Sequence, residues 1–223
     1  MSTPVAFAEQ LTRDAEALYT AVVATDSHDP TVYVASEDDA RIQVYDDVLP
    51  DPFAYRRRAL AVEAQTYFVG EVAWHGLSEC KDHEFLEWLA SVRPDLTPSL
   101  SLIRRSPLGQ VEPNFIHTDR DMGDWTAILY LTEAPDSTDG TDFWRHRWSG
   151  ATESCASSPT DRVTEGLAWR DLSQWGCRLH VPAAFNRAIL FPASCFHSRA
   201  IYNNYGTGDE SRLTQIVFCK AEA

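Results

Sequence analysis

The feature that most constrains the fold is a change of pattern near residue 98. Beyond it the chain becomes a succession of short β-rich runs separated by turn residues, at 100–105, 114–119, 125–132, 141–148, 177–181, 187–191, 195–200 and 212–218. Runs of this length and spacing predict a mainly β domain, and eight of them predict the double-sheet jelly roll, or double-stranded β-helix. The one long interruption, residues 149–175, opens with small polar residues and ends in a helix-compatible stretch around 163–172. Long insertions in compact barrels are more often functional than idle, so this one is expected to wall or cover a site.

The part before the runs reads differently. Phe7, Leu11, Ala15, Leu18 and Val22 recur at helical spacing and predict an amphipathic helix over 5–24. Strands are expected at 32–35 and 42–48. Asp51 followed by Pro52 is a helix start, with the aspartate as N-cap and the proline in the first turn, and the helix is expected to reach about Gln65. Residues 67–79 give no clear period and are expected to be irregular or weakly extended, with His75 structural. A second helix is expected over 82–92, stopped before Pro94. The whole chain, 1–223, is read as one domain: a helical N-terminal portion with leading strands over 1–98, then a jelly-roll core over 99–220.

Charge excludes one class of partner. Acidic residues outnumber basic ones by 33 to 19, with 18 against 7 in the first hundred residues. The short run Arg56-Arg57-Arg58 is the sole basic cluster and reads as a solvated helix face, so nucleic acid is not an expected partner. Five cysteines without CxxC spacing read as free thiols of a reducing cytoplasm rather than a zinc site. Glu9, Arg13, Asp14 and Glu16 argue against a secretory signal, and no apolar run reaches membrane-spanning length, so no membrane association is expected.

The chemistry begins at His117-Thr118-Asp119. In a strand, alternate side chains share a face, so the imidazole and the carboxylate point the same way. Two histidines and one carboxylate on one face of a metal leave the other positions open, as in non-haem iron(II) oxygenases. His146, His180 and His197 lie downstream as candidates for the second histidine. His197 closes the largely apolar run 188–196 and is followed fifteen positions on by Arg212-Leu213-Thr214. Arg212 and Thr214 share a strand face, and a planar guanidinium beside a hydroxyl suits a carboxylate. Metal ligands plus such a clamp suit a dicarboxylate cosubstrate.

These residues and their order resemble the iron(II)- and 2-oxoglutarate-dependent oxygenases, and within them the prolyl-hydroxylase-like branch. The resemblance spans about residues 41–220. It rests on Val44-Tyr45-Asp46-Asp47-Val48-Leu49-Pro50-Asp51-Pro52, His117-x-Asp119, Ile128-Leu129-Tyr130-Leu131-Thr132, Gly140-Thr141-Asp142-Phe143, Phe191-Pro192 to Phe196-His197-Ser198, and Arg212-x-Thr214. It implies Fe(II) held by His117, Asp119 and His197, and 2-oxoglutarate whose distal carboxylate pairs with Arg212, helped by Tyr130 and Thr214. It implies consumption of dioxygen, release of succinate and carbon dioxide, and hydroxylation of an unactivated C–H bond in a small molecule, amino acid or peptide, with desaturation or ring formation as variants. Asp119 argues against halogenation, because related halogenases carry a small residue there.

The chain departs from the family pattern in two places. The usual paired glycine is Asp139-Gly140, and the interval from His197 to Arg212 is long. Arg199 is a rival for the clamp, but it lies too close to His197 and ranks well below Arg212. Two competing readings are a cupin-like metalloenzyme that needs no 2-oxoglutarate and a non-catalytic jelly-roll binding protein. His146, alternating with Trp144 and Trp148, reads as packing, His180 as a surface or interstrand residue and Cys195 as a small apolar filler. Trp169 and Trp175 either line a pocket or anchor the insertion. Substrate specificity is expected in 149–175, 203–209 and 67–79.

Overall fold

Alternation along the strands sorts the chain into two antiparallel sheets. The computed structural model describes residues 41–69, 72–106, 116–135, 138–154, 172–200 and 212–222. In chain order these form β1 (Gln43–Tyr45), α1 (Pro52–Ala61), β2 (Gln65–Val69), β3 (Val72–Glu79), α2 (Glu84–Val92), β4 (Leu96–Ser106), β5 (Trp125–Tyr130), β6 (Gly140–His146), a single 3-10 turn (Leu172–Gln174), β7 (Trp175–Pro182), β8 (Ala188–Pro192), β9 (His197–Arg199) and β10 (Arg212–Ala221). Seven strands make one sheet in the order β1-β8-β5-β10-β4-β3-β2, and three make the other in the order β7-β6-β9. The last strand thus lies between β5 and β4, which is the crossed connectivity of a jelly roll.

Register decides which side chains face inward. Thr214 lies opposite Tyr130, Ile216 opposite Ile128 and Phe218 opposite Thr126, while Ile128 faces Ile189 on the other side. Directly opposed residues share a face. That face carries Ile128, Tyr130, Ile189 and Phe191 against Phe143, Leu179 and Val181 of the small sheet, and this is the barrel interior. The alternate residues Ala127, Leu129, Ala188, Leu190, Leu213 and Val217 form the opposite face of the large sheet, where Tyr55 and Ala59 of α1 and Phe85 and Leu89 of α2 cover it.

Local chemistry sets the flanking elements. Asp51 caps α1, its carboxylate accepting from the Ala54 N–H at 2.9 Å, with Pro52 in the first turn. The helix stops at Ala61 rather than Gln65 because Gln65 pairs with Leu77 in a hairpin. That hairpin, β2–β3, replaces the expectation of an irregular or weakly extended segment over 67–79 with two paired strands. Its period is hidden in the sequence by a register shift between Gln65 and Tyr67 and by Gly76, whose φ of +72° favours glycine. Two arginines of the α1 basic run are paired with carboxylates: Arg56 reaches Glu133, and Arg58 reaches Asp82 and Glu84.

A third cluster, Ile116, Trp144, Leu172, Trp175 and Phe196, is buried beside the small sheet. Trp175 therefore anchors the end of the insertion to the barrel. The expected helix over 5–24, the strand at 32–35, most of the insertion with Trp169, and the 203–209 loop lie outside the described residues. No helix among the described residues is long and apolar enough to cross a membrane.

Candidate metal and cosubstrate site

His117 and His197 come together through the main chain. Each donates its backbone N–H to the other's carbonyl, at 3.0 and 2.9 Å, an isolated antiparallel bridge that adds residue 117 beside β9. The strand expected over 114–119 is reduced to this bridge among its described residues. The next turn is equally fixed. Asp119 donates its N–H to the Ala193 carbonyl at 2.8 Å and accepts from Met122 N–H at 2.8 Å.

The side chains converge. His117 Nε2 lies 3.7 Å from Asp119 Oδ1, and His197 Nε2 lies 3.3 Å from Asp119 Oδ2. One ligand atom from each residue falls within 4.8 Å of the others, and no other such group of three occurs among the described residues. Donors about 2.1 Å from one metal ion and at right angles to each other would stand about 3 Å apart, so the set could hold a first-row divalent ion once the donors draw closer together.

Neighbours orient these donors. His197 Nδ1 lies 3.0 Å from the Cys195 carbonyl, which can only accept, so Nδ1 carries the hydrogen and Nε2 faces Asp119. Phe191 packs edge-on against the same ring at 4.8 Å. The Thr126 hydroxyl donates to Asp119 Oδ2 at 2.9 Å. Burial pushes the Asp119 carboxyl up, but the charges of His197 and His117 and these hydrogen bonds overcome it and bring the pKa to about 2. For His197, burial works against the charged form, and Asp119 more than reverses it, so its pKa is raised.

Arg212, Tyr130 and Thr214 gather on the inner face farther along the barrel. Thr214 is the cross-strand partner of Tyr130, and the Arg212 guanidinium lies 5.8 Å from the centre of the Tyr130 ring. The Tyr130 hydroxyl bonds Thr141 Oγ1 at 2.7 Å, and burial raises its pKa. Thr141 stands two residues before Phe143, which is paired with His197, so about 7 Å of β6 separates the two clusters. One partner of Arg212 was not foreseen: Nε donates to Asp139 Oδ1 at 3.0 Å.

The remaining expectations fall into place around these clusters. Arg199, buried opposite Thr141, and Arg104, opposite Thr214, lie on the same inner face as Arg212. His146 is buried against Trp175, in line with packing. His180 pairs across strands with Asp142 at 2.7 Å. Cys195 is buried, and its contribution to the site is its backbone carbonyl. Thr126, Thr141, Arg104 and Asp139 were missed as participants. Strand parity with Tyr130 was the available signal for Thr126, and the broken glycine pair was the signal for Asp139.

The architecture is a jelly roll in which two histidines and one aspartate converge at one end of the interior, a set that could hold a metal ion. The chain belongs to the family of unknown function DUF6445, whose model matches residues 96–218, more than half of the sequence. No curated protein matches it in sequence. Among solved structures it is similar to SnoK, the non-haem α-ketoglutarate-dependent carbocyclase from nogalamycin biosynthesis, with a TM-score of 0.53 and 17% identity over 83% of this chain and 84% of that one. It is similar to SnoN, the corresponding epimerase, with a TM-score of 0.52 and 15% identity over 91% and 82%. It also resembles EctD from S. alaskensis, solved with bound Fe, with a TM-score of 0.50 and 14% identity over 84% and 77%. At these identities the likeness establishes the double-stranded β-helix fold.

Proposed function

We propose that this protein is an Fe(II)- and 2-oxoglutarate-dependent oxygenase. The observation that carries the reading is the convergence of His117, Asp119 and His197 donors within 4.8 Å. His117, Asp119 and His197 would hold the iron, and three protein donors would leave it able to take 2-oxoglutarate and dioxygen. Bound together, the metal and 2-oxoglutarate supply oxidation of a substrate C–H bond coupled to release of succinate and carbon dioxide. Arg212, with Tyr130 and Thr214, grips the distal carboxylate at the arginine-rich end. Phe143 and Phe191 wall the space between and exclude water. Cys195 and Thr126 keep the His197 ring and the Asp119 carboxylate aimed at the metal.

Hydroxylation is the proposed outcome. The opening at residues 44–52 supports a prolyl-hydroxylase-like branch, and the whole of 1–223 is proposed as one catalytic domain. The similar structures belong to enzymes named for small-molecule chemistry, including EctD solved with 2-oxoglutarate and 5-hydroxyectoine, and this favours a small molecule over a peptide as substrate. The free thiols Cys80, Cys177, Cys195 and Cys219 support a cytoplasmic setting.

Succinate release tests the reading, measured with Fe(II), 2-oxoglutarate and air across a panel of amino acids, peptides and secondary metabolites. Stimulation by one class, dependent on both iron and 2-oxoglutarate, is expected. Turnover that persists without 2-oxoglutarate would replace this reading with the cupin-like one, and failure to bind any divalent ion would leave a binding protein.

A further inference from the structure

Asp139 is a buried carboxylate outside the proposed ligand set, 1% exposed, at the position where the family pattern has the first of two glycines. The second glycine is kept for a steric reason: a Cβ on Gly140 would run into the Val181 carbonyl. Position 139 has the room for a side chain, and its backbone is pinned. The Asp139 carbonyl accepts from Ala183 N–H at 2.8 Å, and the Gly140 carbonyl accepts from Ala200 N–H at 3.0 Å.

From this fixed base the two residues hold one arginine. Arg212 Nε donates to Asp139 Oδ1 at 3.0 Å, and Arg212 Nη2 donates to the Gly140 carbonyl at 3.3 Å. The edge of the guanidinium that carries Nε is therefore taken by the protein. Asp139 Oδ2, also buried, has no hydrogen-bond partner among the described residues. A buried ion pair with a half-satisfied carboxylate is a weak source of stability, because desolvation offsets the attraction. Its distinctive effect is on direction, since a planar fork held along one edge presents its other N–H groups at a set angle.

We propose that Asp139 is a positioning residue: it holds Arg212 so that the guanidinium meets the distal carboxylate of a 2-oxo dicarboxylate, and it thereby sets selectivity for that cosubstrate over a 2-oxo monocarboxylate. The proposal rests on the functional reading above. The test titrates the Fe(II)-loaded protein, without oxygen, with 2-oxoglutarate and with 2-oxobutyrate, which lacks the distal carboxylate, following binding by calorimetry. Wild type is expected to prefer 2-oxoglutarate by about 100-fold, the order of a buried charge pair. Asp139→Ala and Asp139→Glu should each reduce that ratio about tenfold or more by weakening 2-oxoglutarate alone, and Asp139→Asn, which keeps an acceptor for Nε, should retain it.

Thermal melting identifies folded variants. If Asp139→Ala does not fold, Asp139→Glu, which keeps the charge but displaces the fork, decides the question. An unchanged ratio, equal weakening of both acids, or tighter 2-oxoglutarate binding in the folded variants overturns the role of Asp139 and leaves the oxygenase reading standing. A wild-type protein that binds neither acid removes the oxygenase reading and this inference with it.

Discussion

The two ends of the proposed pocket are built by different means. At the metal end, position comes from the main chain: His117 and His197 bridge each other, and Asp119 is tied to Ala193. At the cosubstrate end, position comes from a side chain, Asp139, acting on Arg212 across 73 residues of sequence. Main-chain pairing follows from strand order, so it survives changes of side chain. A buried ion pair fails when either member is removed, because the survivor is left charged and unpaired.

The largest effect expected from this contrast is on Arg212→Ala. It strands the Asp139 carboxylate, which is 1% exposed, and should cost about 3–5 kcal/mol in denaturant unfolding, with part recovered in Arg212→Ala/Asp139→Ala. Full additivity of the two single variants would show that the pair is not coupled.

Thr126→Val removes the hydroxyl on Asp119 Oδ2 without touching the backbone. It should weaken divalent-metal affinity roughly 10- to 100-fold while leaving the metal-free melting temperature nearly unchanged. A variant with normal affinity would mean that Asp119 is aimed by its backbone alone.

The pH response separates proton from metal. Asp119 is lowered from 3.8 to about 2, so its contribution to the metal-free fold is present above 3.8 and is lost as pH falls toward 2. His197 is raised above 6.5, so its contribution is complete below 6.5 and fades as pH rises through its folded value. Metal needs the deprotonated ring, so its affinity should climb as pH rises past 6.5. The melting-temperature gap between metal-loaded and metal-free protein should therefore widen between pH 6 and 8, where a constant gap would count against His197 as a ligand.

The smallest effect calibrates the first. Arg187 grips Asp46 through two hydrogen bonds of 2.6 and 3.0 Å, but Asp46 is 58% exposed and solvent screens the pair. Asp46→Asn should cost at most about 1 kcal/mol. A loss comparable to that of Arg212→Ala would mean that burial is not what distinguishes the two arginine–aspartate pairs.

The same division governs what could be read from the sequence. The barrel was legible because its strands alternate: Thr126, Ile128 and Tyr130 inward, Ala127 and Leu129 toward the helices. His117 and Asp119 were legible because parity on a nearly extended segment puts them on one side. His197 was one of three downstream histidines that the pattern left open, and the family resemblance singled it out. The Arg212–Asp139 pair was not legible, since partners that far apart meet only once β6 and β10 are placed, and the sequence marked Asp139 only as an exception. The β2–β3 hairpin escaped for a local reason: a register shift and a left-handed glycine break the period by which strands are recognised.

The most direct measurement is the visible absorption of the protein mixed with Fe(II) and 2-oxoglutarate without oxygen. Wild type should develop a charge-transfer band, Asp119→Ala should lack it, and Arg212→Ala should require much more 2-oxoglutarate to form it. A band of equal strength in wild type and Asp119→Ala, or none in wild type, would contradict the assignment of His117, Asp119 and His197 as the iron site.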